Sequence, residues 1–423
     1  MSGFPKIQIT NSNNVVISLD NYAFQNFKYT EDINMGFPTI EFGLQDNLNF
    51  LQRDGIYGDE LIEVIDFTES FFKIENKQFK IKAIGSVGLY PKISSKQDVK
   101  IVCVDKIYDN IIKSSQSVYF KSGEKKIITD LIKKFLSING IEESTTFKIN
   151  IPVSTKPFKN NNLYIPYSKD ALKVIRRLAN YSISDNGNGG FVFFMNRDSL
   201  NFLPIYKLFE SGNELNYNAN KNDETFPFIR VTEENQLYKF NSVKLSTYNS
   251  FTNLLSGHEK RILGFNPNQS DYNFIKYSPD ASYTQYDEYK ESGKKVSQIK
   301  LDGDRIPFLK DFSKGNITTY YTPLDNIDSL KAFGDNLYYS QMFNYHLDIA
   351  MQAVTLCHNF KAGQVIFVEF SSNTYNRFDS LSGLWLLKSF DFIFPGNSIN
   401  LRLTRMGSGD GKGVLPHEHY TII

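Results

Sequence analysis

The sequence is poor in the residues that most often carry chemistry. Its 423 residues include two cysteines, five histidines and one tryptophan. Cys103 and Cys357 lie far apart, each in an apolar, strand-like run (99–104 and 353–357), so both are read as buried thiols. His417-Glu418-His419 is the only histidine cluster. Two His on one strand face can hold a metal, but no third ligand is evident and the cluster sits in a polar tail. Cys357 and His358 are adjacent, which in a strand turns them to opposite faces and argues against a nucleophile–base pair. Asn186-Gly187-Asn188-Gly189-Gly190 precedes a strand and lacks the Lys-Ser/Thr ending of a phosphate loop. Asp302-Gly303-Asp304 lacks the further spaced oxygens of a calcium loop. There is no Gly-x-Ser-x-Gly elbow. No cofactor and no metal are expected.

A surplus of charge is missing too. Lys and Arg number 47 against 46 Asp and Glu, a net charge of +1, so nothing in the balance points to nucleic acid or a membrane surface. No apolar run reaches the roughly 18 residues of a membrane helix, and residues 1–5 do not open a signal peptide. The chain is expected to be made in a cytoplasm, to have no membrane span, and to leave a cell only as part of an assembly.

What is abundant is aromatic: 36 Phe and 25 Tyr. With many Ile, Val and Thr they favour strands. Ile7 and Ile9, residues 15–19, Ile40, Phe42 and Leu44, then 61–67, 79–84 and 99–104 read as short strands. Turn signals at Asn11-Ser12-Asn13-Asn14, Arg53-Asp54-Gly55 and Glu75-Asn76-Lys77 separate them, the spacing of a barrel or sandwich. Next come two helices. One follows Ser122 with Ile127, Ile128, Leu131, Phe135 and Leu136 on one side. The other follows Ser168 with Leu172, Ile175, Leu178 and Ala179 inward and Lys173, Arg176 and Arg177 toward solvent. A hairpin of 191–194 with 200–203 completes an α+β module. Strands resume at 237–240 and 243–245. Residues 250–325 are polar and Tyr-rich, with strands expected only at 262–263 and 296–301, and a helix follows over 327–338. A strong strand block closes the chain: 344–356, 365–370, 384–394 and 399–403, with Pro395-Gly396-Asn397 as a hairpin turn. The simplest account is a second β domain interrupted by an insertion. Two β domains of similar size hint at duplication, though no repeat is visible residue by residue.

Several stretches resemble a known family. Gly3-Phe4-Pro5-Lys6-Ile7-Gln8-Ile9, Phe27-Lys28-Tyr29-Thr30-Glu31-Asp32, Thr39-Ile40-Glu41-Phe42 and Asp59-Glu60-Leu61-Ile62-Glu63-Val64 are similar to the start of the baseplate hub protein of T-even-like contractile phages, a family related to late-control-type tail proteins and secretion-system spike hubs. Tyr167-Ser168-Lys169-Asp170-Ala171-Leu172 and Gly190-Phe191-Val192-Phe193-Phe194 resemble its second module. Phe360-Lys361-Ala362-Gly363-Gln364-Val365, Leu384-Trp385-Leu386-Leu387-Lys388-Ser389-Phe390 and Asn397-Ser398-Ile399-Asn400-Leu401-Arg402-Leu403 resemble its last block. The motifs are soft, and their order and spacing carry the likeness.

The resemblance implies a mainly β fold with α+β modules: two tube-like β-barrel domains plus two smaller inserted or intervening modules. The first tube-like domain would span 1–105 and the second 226–250 with 340–406. Residues 106–225 would form the α+β module, 251–339 an inserted module and 407–423 a flexible tail. It implies a non-enzymatic homotrimer whose six barrels form a pseudo-sixfold ring between a hexameric tail tube, or its initiator, and a trimeric spike. Wedge proteins would surround the ring, and DNA or a tape-measure protein would pass through its channel. The strands of Ile40, Phe42 and Leu44 and of Ile399, Leu401 and Leu403 are the expected ring contacts. A receptor- or carbohydrate-binding tail protein, suited to the Tyr-rich stretch 272–289, and a cell-wall hydrolase, whose two carboxylates leave no mark in sequence order, are the alternatives.

Overall fold

A computed structural model of the chain describes residues 5–19, 23–46, 53–69, 72–87, 97–113, 116–120, 147–151, 163–168, 171–179, 182, 190–205, 207–208, 228–231, 238–247, 260–266, 271–277, 318–322, 345–354, 360–370 and 382–405. The fold is mainly β. Strands β1 (Lys6–Thr10), β2 (Val16–Ser18), β3 (Ala23–Asp32), β4 (Thr39–Asp46), β5 (Leu61–Glu69), β6 (Phe72–Val87) and β7 (Gln97–Asp105) come first, followed by helix α1 (Lys106–Lys113). Then come β8 (Gln116–Phe120), β9 (Lys148–Asn150), β10 (Leu163–Ser168), helix α2 (Ala171–Ala179), β11 (Phe191–Met195) and β12 (Ser199–Pro204). The remainder is β13 (Phe228–Val231), β14 (Tyr238–Thr247), β15 (Lys260–Asn266), β16 (Asp271–Tyr277), β17 (Thr318–Thr322), β18 (Tyr345–Ala353), β19 (Val365–Phe370), β20 (Gly383–Phe394) and β21 (Ser398–Arg405).

Thirteen strands from both ends of the chain share one sheet, in the order β14-β18-β21-β20-β3-β4-β7-β6-β5-β1-β2, with β19 and β13 branching from β20. Three smaller sheets, β8 with β10, β9-β12-β11 and β16-β15-β17, share no strand pairing with it. Alternation along the strands sends one face inward: Ile7 and Ile9, Phe27 and Tyr29, Ile62 and Val64, Leu347, Ile349 and Met351 are buried in one continuous core with Trp385 and Phe392. Such a core draws on both ends of the sequence.

The strand order repeats. Numbered along the chain, the first set is β1, β3, β4, β5, β6, β7 and the second is β13, β14, β18, β19, β20, β21. Both lie in the order second, third, sixth, fifth, fourth, first. Every corresponding pair is antiparallel except the last, where β1 meets β5 antiparallel and β13 meets β19 parallel. The irregularities repeat as well. The second strand of each set slips by one residue against the third, at Gln25 in β3 and Asn241 in β14. The fifth slips against the sixth, at Lys82 in β6 and Lys388 in β20. A bulge bends its strand and re-aims the side chains beyond it, so two bulges at matching places imply matching curvature in the two sets.

Several expectations are altered. Glu75-Asn76-Lys77 does not separate strands but lies inside β6, where Lys77 and Glu75 stay opposite Val64 and Asp66. Asn76 takes the left-handed conformation, φ 47°, which asparagine tolerates. Helix α1 went unforeseen; Asp105 starts it by accepting the Ile107 amide at 2.9 Å. Strands β8, β10, β16 and β17 also lack a clear apolar pattern. Within α2, Leu172, Ile175 and Ala179 are buried as expected. Arg176 is exposed but donates Nη2 to the carbonyls of Asn34 (3.1 Å) and Met35 (2.8 Å), fastening the helix to the β3–β4 turn. The helices expected after Ser122 and over 327–338, the strand at 296–301, the turn at 186–189 and the tail lie outside the described residues.

Candidate functional site: the seam between the two strand sets

The two sets meet edge to edge. Residues 389–394 of β20 pair antiparallel with 27–32 of β3, Phe390 opposite Glu31, Asp391 opposite Thr30 and Phe392 opposite Tyr29. On the outer face Asp391 takes Lys28 Nζ at 3.0 Å and the Thr30 hydroxyl at 2.8 Å. On the inner face Phe27, Tyr29, Phe390 and Phe392 are buried. Phe72, at the start of β6, stacks on Phe392 with centroids 4.5 Å apart and lies 5.0 Å from Tyr29. Aromatic pairs from both sets therefore share one packed layer.

A buried ion pair closes this layer. Glu31 follows Tyr29 on the inward face of β3 and is fully buried. Its Oε1 accepts the Arg197 amide (2.9 Å), Arg197 Nε (3.2 Å) and the Tyr29 hydroxyl (2.9 Å); its Oε2 accepts the Ala362 amide (2.8 Å). Burial, followed by the Glu31 charge, pushes the Tyr29 hydroxyl well above its ordinary pKa, keeping it a donor. Arg197 comes from the β11–β12 turn and also donates Nη2 to the Phe360 carbonyl. Its guanidinium lies over the rings of Phe72 (4.6 Å) and Phe390 (5.5 Å), a favourable place for a desolvated cation. Asn196 shapes the turn: its Oδ1 accepts the amides of Asp198 and Ser199, and its Nδ2 donates to the Ala362 carbonyl. Gly363, at φ +87°, packs against Phe194 so closely that a Cβ would sit 2.5 Å from the ring. One carboxylate thus ties β3, the β11–β12 hairpin and the loop before β19 to the seam.

Asp105 is a second buried acid. Lys77 Nζ stands 3.6 Å from its carboxylate and also donates to the Arg197 carbonyl at 3.3 Å. Burial outweighs Lys77 and the Ile107 amide and raises the Asp105 pKa. A carboxyl raised on folding supports stability that is fully present below its unfolded pKa and is lost as pH rises through the folded value. Asp105→Asn, which keeps the oxygen that caps α1, is therefore expected to gain stability relative to wild type as pH rises from about 4 to 7. Urea unfolding of both proteins at the two pH values measures this.

The six residues that mark the strands expected at the ring have their side chains in the core. Ile40, Phe42, Leu44, Ile399, Leu401 and Leu403 are buried within this chain. Their strands, β4 and β21, are also flanked by partners on both sides. The alternation that reveals a strand marks its inner face, so these strands can touch a neighbour only through the alternate residues. Those carry cross-strand ion pairs, Glu41 with Lys100 at 2.6 Å and Asp348 with Arg402 at 3.0 Å. The sequence singles out neither Glu31 nor Arg197 as a site residue; the one signal is the inclusion of Glu31 in a stretch with family resemblance, and the same resemblance points to strand edges as contacts without naming their residues. Cys103 is buried, and desolvation raises its thiol pKa. No cluster of three potential metal ligands occurs among the described residues, and no helix there is long and apolar enough to cross a membrane.

No protein-family model and no curated protein matches the chain. Solved structures do. A tail protein from Neisseria meningitidis MC58 superposes with a TM-score of 0.54 at 9% identity, covering 96% of this chain and 99% of that one. The 43 kDa tail protein of prophage MuSo2 from Shewanella oneidensis gives 0.53 at 8% identity, with the same coverage. The chain shares its fold with tail proteins. At such identity the likeness is one of fold. The superposition extends over nearly the whole length of both tail proteins.

Proposed function

We propose that the chain is a structural hub of a contractile tail baseplate in a virion, a homotrimer forming a pseudo-sixfold ring between a hexameric tail tube and a trimeric spike. The ring would be built from two tube-like domains per chain, 1–105 and 226–250 with 340–406. Residues 106–225 and 251–339 would be the modules that meet spike and wedge proteins, with 407–423 as a tail. The single observation behind this reading is the repeated strand order with its repeated bulges. Two like units in one chain let three chains present six like faces, which is what joins a threefold body to a sixfold one. The reading gives the chain a place in an assembly and no reaction of its own.

Mass photometry of the full chain, alone and with its cognate spike and tube proteins, tests it. Three chains per particle and a six-lobed ring in negative-stain averages are expected. A strict monomer that ignores both partners would end the reading, and glycan binding or peptidoglycan turnover by the isolated chain would replace it with a receptor-binding or hydrolytic one.

A further inference from the structure

The repeat identifies which edges join one copy to the next. Superposing the matching bulges lays β6 on β20, so that Ile84 falls on Phe390 and Gly85 on Asp391. It lays β3 on β14, so that Phe27 falls on Val243, Lys28 on Lys244 and Tyr29 on Leu245. The third and sixth strands then coincide without a gap: Ile40, Phe42 and Leu44 on Leu347, Ile349 and Met351, and Val99, Ile101 and Cys103 on Ile399, Leu401 and Leu403.

Inside the chain the fifth strand of the second set holds the second strand of the first set: β20 on β3. The complementary edges have no strand partner among the described residues. Beyond Ile81, β6 is paired on one side only, by β7, and β14 ends the sheet with β18 as its one neighbour. These are the fifth strand of the first set and the second strand of the second.

Their inner-face side chains are also incompletely covered. Tyr29 is 0% exposed at the seam, whereas its counterpart Leu245 is 39% exposed. Phe27 and Phe390 are buried; their counterparts Val243 and Ile84 are only partly buried. Unpaired edges bordered by open apolar positions invite strand addition.

We infer that β6 of one copy pairs antiparallel with β14 of the next in the register of the seam: Ile84 opposite Thr247, Gly85 opposite Ser246, Ser86 opposite Leu245 and Val87 opposite Lys244. The occupant of each free edge is thus a second copy of this chain, joined heterologously. Repeating the internal joint between copies gives all six joints the same strand pairing and register when three chains close, so the inference deepens the ring reading and rests on it. One element is not repeated. Asp391, which pairs with Lys28 at the seam, has Gly85 as its counterpart, so the joint between copies relies on backbone hydrogen bonds and on covering Leu245.

The test is a disulfide across the joint. Gly85→Cys with Ser246→Cys is made in the full chain carrying Cys357→Ser; Cys103 is buried. Nothing lies within 4 Å of a Cβ added at Gly85, so the cysteine fits there. Mild oxidation is expected to give covalent dimers and trimers on a non-reducing gel, and neither single variant should do so. Leu245→Glu is expected to lower the trimer fraction at least tenfold with the thermal midpoint of the monomer unchanged. A wild type that is trimeric, with no disulfide in the double variant and an intact trimer in Leu245→Glu, overturns the edge assignment and leaves the ring reading standing. A wild type that stays monomeric with spike and tube, and yields no disulfide, overturns both.

Discussion

Arg197→Leu is expected to lower the unfolding free energy by about 3–5 kcal/mol, measured by urea titration at neutral pH. The side chains of Arg197 and Glu31 are 6% and 0% exposed, so removing the guanidinium leaves a carboxylate with neither counter-ion nor bulk water. The loss should not be fully recovered by removing the acid as well. In Glu31→Gln/Arg197→Leu the charge is gone and the amide oxygen can still take the backbone amide at position 197 and the Tyr29 hydroxyl. The new NH2 group, however, faces the Ala362 amide, a donor that Glu31 Oε2 now accepts at 2.8 Å. A buried donor left without an acceptor costs roughly 1–3 kcal/mol, so the double variant should fall between wild type and Arg197→Leu. A single-variant loss below about 1 kcal/mol, the range of exposed pairs, would show that water reaches the pair and that the clamp is not what holds the β11–β12 hairpin to the seam.

How far sequence could reach is clear from particular residues. Ile40, Phe42 and Leu44 alternate with polar neighbours, and Ile399, Leu401 and Leu403 do the same; those strands were legible within a residue or two. The same alternation hides contacts, because it marks the residues that face inward and says nothing of those that face out. The repeat was legible only as two β blocks of similar size. Ile40, Phe42 and Leu44 lie on Leu347, Ile349 and Met351, which preserves burial but no residue identity. In addition β4 follows β3 at once, whereas β18 follows β14 only after residues 248–344, so no fixed period survives. The clamp was hidden for a different reason. Glu31 occupies an inward position where the pattern calls for an apolar residue, and its partner is 166 residues away. A lone acid in a strand and an arginine in an Asn-Arg-Asp-Ser turn both read as solvated until the fold brings them together.

Phe72→Ala is expected to be comparably damaging, about 3–5 kcal/mol by the same titration, because of where its ring sits. Phe72 is 1% exposed. It stacks on Phe392 of the second set, lies 6.1 Å from Phe390 of that set and 5.9 Å from Phe67 of the first, and carries the Arg197 guanidinium over its face. Truncation would open a cavity bounded by both strand sets and remove one wall of the site that desolvates the ion pair. Phe24→Ala is the matched control: its ring is only partly buried, 6.1 Å from Phe42 within one set, and a loss near 1 kcal/mol is expected for incomplete burial. The comparison bears on more than stability. If the seam fuses two like units into one cooperative body, Phe72→Ala should shift a single transition without dividing it. A loss no greater than that of Phe24→Ala, or a transition that splits in two, would mean that the sets fold independently and that the within-chain joint is too weak a template for the joint between copies.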